Sequence, residues 1–282
     1  MSVPSQLDLG RATRVDLDGT WGPIAALRSG DEGAPDVLLV PGYTGSKEDF
    51  GPVLDPLADA GYRATAIDLP GQFESPGPAT DTDYSTDRLG AELRAVLHQL
   101  GATPRLVGHS FGGLVCRAAV IAEPTAVRDL VLLCSGPAAL GGPRRDRIEL
   151  MRPVLPALGM DGLWDAIQSV LSAEAGYVAP PAEVTAFLRR RFVAGSAVML
   201  AGMGEAITTE RDRVAELTAT GVPVAVMHGA ADDAWPPAVQ ADMAARLGAP
   251  LFVVDGAAHS PAVENPVGTM DALLSCWDVL GR

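Results

Sequence analysis

A serine stands between two glycines in residues 108–112, which read Gly-His-Ser-Phe-Gly. The apolar residues before this segment predict a short buried strand, and the pattern that follows predicts a helix over 111–122. Ser110 therefore lies at the predicted apex of a sharp strand–turn–helix connection, where a hydroxyl can act as a nucleophile. In a chain with 31 glycines, the same pattern also occurs in an ordinary tight turn whose serine caps a helix. The choice between the two interpretations depends on a base and an acid elsewhere in the chain.

The chain has four histidines that could serve as the base. His98 falls in an amphipathic helix pattern and His228 ends a buried strand, so both are better explained by packing or a local hydrogen bond. His109 is adjacent to Ser110, and neighbouring side chains in such a turn point apart. His259 lies in the Gly- and Ala-rich loop 255–261, directly after the last predicted strand. We therefore expect His259 to be the base.

A carboxylate that orients the base is expected from another strand end. Asp232 and Asp233 both follow the strand that precedes the histidine loop. Either one could instead be only a helix N-cap ahead of Pro236. The residues alone leave this choice open, but the chain order Ser, Asp, His is satisfied by both, with each residue just past a strand.

Apolar runs alternate with helical patterns along most of the 282 residues. This alternation predicts an α/β protein with a doubly wound, mostly parallel sheet of eight strands. The predicted strands cover residues 13–17, 24–28, 37–40, 64–67, 105–107, 130–134, 224–227 and 251–254. The predicted helices cover 53–60, 86–100, 111–122, 237–247 and 262–280, and the stretch 74–87 is predicted to be a loop.

The alternation stops between residues 136 and 206, where the pattern is helical and has no clear strand. This segment predicts a helical insertion that leaves the sheet at the carboxyl end of a strand, where ligands of such sheets bind. We therefore expect a cap formed by 136–206 over a core formed by 1–135 and 207–282. The alternative is a peripheral helical pair without a role in binding.

A formal charge of −14 argues against binding to nucleic acid or to anionic membranes. No apolar run approaches the ~18 residues that span a bilayer, and the N-terminal residues lack the pattern of a secretory signal. A cytoplasmic location and a small-molecule substrate are therefore expected. The three cysteines have no metal-ligand spacing, so no metal site is predicted. No oligomeric state is indicated.

Taken together, these features resemble the α/β-hydrolase fold superfamily, in its serine hydrolase branch with a helical cap. The resemblance extends from about residue 15 to the C-terminus. The matching segments are residues 40–43 (Val-Pro-Gly-Tyr), 68–71 (Asp-Leu-Pro-Gly), 108–112, 229–236 and 256–261. The resemblance implies catalysis without a cofactor or metal.

The resemblance also distinguishes the two aspartates. In the family the acid follows a glycine by three residues and precedes a proline by four, and Gly229 and Pro236 have this spacing from Asp232. The resemblance therefore implies Asp232 rather than Asp233 as the acid, and the family histidine matches His259.

The family's oxyanion hole uses two backbone N–H groups, which the resemblance assigns to Phe111 and Tyr43. Two positions depart from the family pattern: Pro41 precedes Gly42 where relatives usually have histidine, and Phe73 replaces a common glycine in a loop that borders the pocket. A serine at position 110 disfavours the branches with an aspartate nucleophile, the haloalkane dehalogenases and epoxide hydrolases.

The expected function is hydrolysis of a small to medium apolar carboxylic ester through an acyl-enzyme intermediate. Apolar residues of the insertion and of the acid loop favour an apolar substrate group: Leu163, Trp164, Phe187, Met199 and Trp235. The three arginines 189–191 could bind a carboxylate, but they are also typical of a solvated helix face. The alternatives are a thioesterase, a lactonase, a carbon–carbon bond hydrolase or lyase, and a non-catalytic binding protein of the same fold.

Overall fold

The computed structural model describes residues 7–101, 103–173 and 177–281. It contains one eight-stranded sheet in the order β1-β2-β4-β3-β5-β6-β7-β8. The strands are β1 (Thr13–Leu17), β2 (Ile24–Ser29), β3 (Asp36–Val40), β4 (Arg63–Ile67), β5 (Arg105–His109), β6 (Asp129–Leu133), β7 (Val224–Gly229) and β8 (Leu251–Val254). Strand β2 is antiparallel to both β1 and β4, and all other neighbours are parallel. The predicted fold class is confirmed.

Helices cover both faces of the sheet. They are α1 (Gly51–Asp59), α2 (Thr86–Leu97), α3 (Phe111–Ala122), α7 (Val214–Ala219), α8 (Pro237–Leu247), α9 (Pro261–Glu264) and α10 (Pro266–Leu280), with α4 to α6 in the insertion. In β3, Val37 and Leu39 pack with α1 and α10, whereas Leu38 and Val40 pack on the opposite face with α2 and α3. Burial on both faces explains why the central strands are uninterrupted apolar runs.

The insertion between β6 and β7 contains α4 (Gly142–Ser172), α5 (Ala182–Ala194) and α6 (Ala197–Thr209). Helix α4 is kinked at Gly159, which has a φ of 63°. Helix α6 continues three residues beyond the predicted end at 206, because Ile207 is buried against the main core. The insertion also has a small apolar cluster of its own, formed by Leu155, Leu163, Phe192 and Leu200.

Some predicted boundaries were wrong. The C-terminal helix predicted over 262–280 is two helices, because Asn265 has a φ of −146° and a ψ of 75°. This conformation is not helical, because the ring of the following Pro266 disfavours helical geometry at the residue before it. Helix α2 ends at Leu97 rather than at residue 100, and the predicted loop 74–87 contains a short 3₁₀ helix over Asp81–Tyr84.

Within the described ranges, no single helix has the length and apolar composition needed to cross a membrane. Helices α5 and α6 meet these criteria only as a pair, and the pair is bent by 92°.

Candidate active site

Ser110 lies at the apex of the turn between β5 and α3, with a φ of 55° and a ψ of −122°. This conformation is strained for a residue with a side chain. The flanking glycines are required by space. A Cβ on Gly108 would lie 2.6 Å from the Cα of Gly113. A Cβ on Gly112 would lie 2.4 Å from the carbonyl oxygen of Pro41. The turn has the geometry of a nucleophile elbow.

The hydroxyl of Ser110 is one end of a hydrogen-bonded chain that continues through His259 to Asp232. Oγ of Ser110 lies 3.0 Å from Nε2 of His259, and Nδ1 of the same ring lies 2.8 Å from Oδ1 of Asp232. Because an ionised carboxylate only accepts, Nδ1 is assigned the proton and Nε2 accepts from the serine hydroxyl. All three residues are buried. The structure therefore brings the three predicted residues together from the ends of β5, β7 and β8.

The carboxylate of Asp232 is held at both oxygens. Besides His259, Oδ1 accepts from the backbone N–H of Ala234 at 2.9 Å, and Oδ2 accepts from Nε2 of Gln240 at 2.7 Å. Burial acts to raise the pKa of the Asp232 carboxyl, but the hydrogen bonds from His259, Ala234 and Gln240 outweigh it and lower this pKa. The carboxylate is therefore ionised at neutral pH, as a partner for a protonated imidazole must be.

Asp233, the other candidate acid, has different partners. Its exposed carboxylate accepts two hydrogen bonds from Arg144 of α4, at 2.7 and 3.0 Å. It thereby connects the loop after β7 to the insertion, while Asp232 contacts the histidine. Of the two candidate acids, Asp232 is the one in contact with His259.

The loop after β3 passes directly beside the nucleophile position. A Cβ on Gly42 would lie 2.9 Å from the Cβ and 3.3 Å from the Oγ of Ser110. The peptide that joins Gly42 to Tyr43 therefore begins beside Ser110. Phe111 is the first residue of α3, where an N–H has no acceptor within the helix. Both predicted oxyanion donors lie next to Ser110.

Gln72, which was not predicted from the sequence, is hydrogen-bonded to the loop after β3. Its Nε2 donates to the carbonyl oxygen of Gly42 at 2.8 Å, and its Oε1 accepts from the N–H of Leu69 at 2.9 Å. The same Gly42 oxygen accepts from the N–H of Gly45 at 3.0 Å. In a trans peptide the N–H points opposite to the carbonyl, so these bonds also orient the N–H of Tyr43.

Lys47 is the only lysine of the chain, and it is buried. Its Nζ lies 2.9 Å from carboxylate oxygens of Asp68 and Glu48 and 3.0 Å from Glu74. Burial raises the pKa of Asp68 to about 6, although the lysine charge opposes this effect. The cluster ties the loop after β3 to the loop after β4, so it supports the segment that carries Tyr43. The signal for this cluster in the sequence was that the chain has only one lysine.

The other three histidines do not contact the serine hydroxyl. His98 is exposed, and Nδ1–H of buried His228 donates to the carbonyl oxygen of the next residue at 2.8 Å. Nε2–H of His109 donates to the carbonyl oxygen of His259 at 2.6 Å. Burial, and next the neighbouring His259, lower the pKa of His109 to about 4. His109 is therefore neutral at pH 7 and supports the backbone of the histidine loop.

His109, Cys134 and His259 are potential metal ligands whose donor atoms all lie within 4.8 Å of one another. Both ring nitrogens of His259 already contact triad partners, and Nε2 of His109 is hydrogen-bonded. Burial, followed by the charge of Asp232, raises the pKa of the Cys134 thiol well above its ordinary value. A metal would have to displace the triad contacts, so these residues do not fit a resident metal. All three cysteines are buried and free.

Tyr43 connects the apolar cluster of the insertion to the loop after β3, residues 41–46, which is called the oxyanion loop below. The ring of Tyr43 packs against this cluster, and its hydroxyl donates to the carbonyl oxygen of Leu200 at 2.9 Å. Of the apolar residues predicted to line a pocket, Leu163, Phe187, Met199 and Trp235 are buried and Trp164 is half-buried.

The three insertion arginines differ in their contacts. Arg189 pairs with Asp161 at an exposed site, and Arg190 lies over the ring of Phe187. Arg191 is mostly buried and donates to Asp49, next to the oxyanion loop, at 2.5 Å. Arg191 therefore links the insertion to the core, and its charge is already neutralised by Asp49.

Phe73, the departure from the family glycine, has a φ of 33°. Its ring makes an edge contact with Phe187 of α5, with centroids 5.9 Å apart, and Nζ of Lys47 lies 4.7 Å from the ring centre. Phe73 also lines a cavity of about 10 Å³ with Met160, Phe192 and other residues beside the oxyanion loop. An aromatic residue in a backbone conformation that favours glycine fills space between core and insertion.

Comparison with known proteins shows the family to which the chain belongs. The sequence profile of the alpha/beta hydrolase family matches residues 37–272. Epoxide hydrolase A of Mycobacterium tuberculosis is 32% identical over 38% of the chain, but the match spans only 34% of that relative. Other epoxide hydrolases among the matched relatives are likewise covered over 18–37% of their length.

A pimeloyl-[acyl-carrier protein] methyl ester esterase of Nitrosomonas europaea is 27% identical over 87% of the chain and 95% of the relative. Among solved structures, a thermophilic esterase of Thermogutta terrifontis superposes with a TM-score of 0.77 at 22% identity, over 96% of this chain and 100% of the other. The structural likeness concerns the fold. The profile match covers most of the chain, which therefore belongs to the alpha/beta hydrolase family.

Proposed function

We propose that this α/β-hydrolase cleaves small to medium apolar carboxylic esters through an acyl-enzyme intermediate on Ser110. The observation that carries the proposal is the hydrogen-bonded chain from Asp232 through His259 to Ser110, with contacts of 2.8 and 3.0 Å. A serine hydroxyl needs a base at this distance to become an effective nucleophile.

In the first half of the reaction, Oγ of Ser110 attacks the ester carbonyl while Nε2 of His259 takes its proton. Asp232 holds the imidazole in this tautomer and stabilises the cation that forms. The N–H groups of Tyr43 and Phe111 bind the developing oxyanion. His259 then donates the proton to the leaving alcohol. In the second half, His259 takes a proton from a water whose oxygen attacks the acyl carbon. The bond between the acyl carbon and Oγ of Ser110 then breaks, His259 returns the proton to Oγ, and the acid is released.

We further propose that residues 136–206 act as a cap over this site. Three contacts support the proposal: Arg144 with Asp233 beside the acid, Arg191 with Asp49 beside the oxyanion loop, and the Tyr43 hydroxyl with α6. The apolar cluster that surrounds Tyr43 favours an apolar acyl or alcohol group over a charged one.

Two observations bear on the substrate class. The relative from Nitrosomonas europaea, matched over most of its length, is a methyl ester esterase. The epoxide hydrolase relatives are matched over a minority of their length, and a serine stands at position 110 where that branch uses an aspartate. Ester hydrolysis is therefore the favoured reaction, with a small molecule as substrate.

The experiment is a panel of esters, thioesters, lactones and carbon–carbon diketone substrates, assayed with the wild type and matched aspartate variants. Asp232→Asn is expected to lower kcat by roughly 10⁴-fold because the imidazole loses the partner that fixes its tautomer. Asp233→Asn, which loses only contacts with Arg144, is expected to remain within a few-fold of wild type. Equal losses in the two variants would contradict the assigned acid. Turnover confined to another substrate class would replace the ester assignment.

A further inference from the structure

Gln240 of α8 is completely buried and contacts the candidate acid. Its Nε2 donates to Oδ2 of Asp232 at 2.7 Å and to the carbonyl oxygen of Trp235 at 2.6 Å. Its Oε1, by contrast, has no hydrogen-bond partner among the described residues. A buried carbonyl without a partner is destabilising, and an apolar residue of the same size would avoid this. All hydrogen bonds of this side chain among the described residues are made by its amide nitrogen.

The orientation of this amide follows from its neighbours. Exchange of the amide nitrogen and oxygen would place Oε1 against two acceptors, the Asp232 carboxylate and the Trp235 carbonyl. Only the nitrogen can face these groups, and its two hydrogens match the two acceptors. Gln240 is thus a donor with a defined direction.

The two oxygens of Asp232 have separate partners as a result. Oδ1 accepts from Nδ1 of His259 and from the N–H of Ala234, whereas Oδ2 accepts from Gln240. Bonds at both oxygens oppose rotation of the carboxylate and keep Oδ1 directed at the imidazole. We propose that Gln240 is a positioning residue for the triad, which acts through Asp232 to orient His259. This inference rests on the proposed function.

The same hydrogen bond draws charge from the carboxylate. Without this bond, the carboxylate of Asp232 carries more negative charge and stabilises a protonated His259 more strongly. The fall of kcat at acidic pH, called the acidic limb of the rate profile, then has its midpoint at a higher pH. The other titratable or charged groups around the pair come from several elements: His109 at the end of β5, Cys134 after β6, Asp233 paired with Arg144, Asp49 in the loop after β3, and Glu264 of α9. Among the described residues, Gln240 is hydrogen-bonded only to Asp232 and Trp235, so a change at Gln240 leaves the pairs of these other groups intact.

The test compares Gln240→Met, which keeps the volume but removes the donor, with the wild type. We expect kcat to fall about 10- to 100-fold, the range for a hydrogen bond to a charged group, with KM little changed. We also expect the midpoint of the acidic limb to rise by about half a unit to one unit. Met243→Leu, at another buried position of the same helix, is the matched control and is expected to leave both quantities near wild type.

A second variant and a second measurement keep the inference testable. If Gln240→Met does not fold, Gln240→Leu removes the same donor with a smaller side chain and is expected to move the limb in the same direction. If the wild type hydrolyses no substrate of the panel, the proposed function fails by itself. NMR of the His259 Nδ1 proton then tests Gln240, because loss of the positioning bond should shift or broaden this resonance. The inference is overturned if the variants have the kcat and the pH dependence of the wild type. It is also overturned if kcat falls while the midpoint of the acidic limb stays the same, or if the resonance of the His259 Nδ1 proton is unchanged.

Discussion

His109, the partly buried histidine that precedes Ser110, gives a quantitative prediction about stability. Burial, followed by the neighbouring His259, lowers the pKa of His109 to about 4, whereas an unfolded chain has an ordinary histidine pKa of about 6.5. Between these values the unfolded state binds a proton that the folded state does not, so stability falls as the pH falls. At about 1.4 kcal/mol per unit, the full effect is about 3 kcal/mol, of which about 2 kcal/mol is lost between pH 7 and pH 5.

The perturbation is His109→Gln, because a glutamine amide can still donate to the carbonyl oxygen of His259 but does not titrate in this range. The free energy of unfolding is measured by urea denaturation from pH 4 to 8, with the four tryptophans as the fluorescent probe. Asp68 and Asp129, whose pKa values burial raises to about 6, change stability in the opposite direction. They do so in both proteins, so they cancel in the difference.

The difference in unfolding free energy, wild type minus variant, should therefore decrease by about 2 kcal/mol from pH 7 to pH 5 and approach a limit near pH 4. His98→Gln is the matched control at an exposed position, where the ion pair with Glu123 is worth at most about 1 kcal/mol. A difference between wild type and His109→Gln that stays constant with pH would mean that the pKa of His109 is not lowered by folding.

Three further changes test other parts of the site. Gln72→Leu removes a donor to the Gly42 carbonyl, and we expect kcat to fall roughly 10- to 100-fold with KM little changed, measured by steady-state kinetics; unchanged kcat would mean that the loop holds its own shape. Phe73→Gly relieves backbone strain and enlarges the small cavity, so the ratio of kcat/KM for long to short acyl esters should rise; an unaltered ratio would remove Phe73 from the substrate path. Lys47→Met leaves Asp68 buried without its cation and should lower the unfolding free energy by about 3–5 kcal/mol at pH 8. The loss should be smaller at pH 5, because Asp68 is then protonated. Equal losses at both pH values would contradict the ion-pair explanation.

Much of the sheet could be predicted from the sequence because its central strands, such as β3 and β6, are buried on both faces and appear as unbroken apolar runs. The break at Asn265 was missed because the pattern of apolar residues continues through it, although the following proline was a signal. Boundaries depend on single caps, which periodicity does not resolve.

Some residues of the candidate site could also be predicted from the sequence, and others could not. Ser110 and His259 could be predicted because each lies just past a strand in a segment with few other plausible roles. Asp232 and Asp233 are adjacent, so only the three-dimensional contact with His259 separates them without reference to a family. Gln240 was missed because its partner is eight residues away across a loop, although a glutamine on the buried face of α8 was a signal.

Reaction with a fluorophosphonate probe, followed by peptide mass spectrometry, tests whether Ser110 is a nucleophile that His259 and Asp232 activate. We expect a single adduct on the peptide containing Ser110. This adduct should be lost in Ser110→Ala and form much more slowly in Asp232→Asn, but at a near wild-type rate in Asp233→Asn. An unlabelled wild type, or an adduct on another residue, would contradict the assignment of Ser110 as the nucleophile.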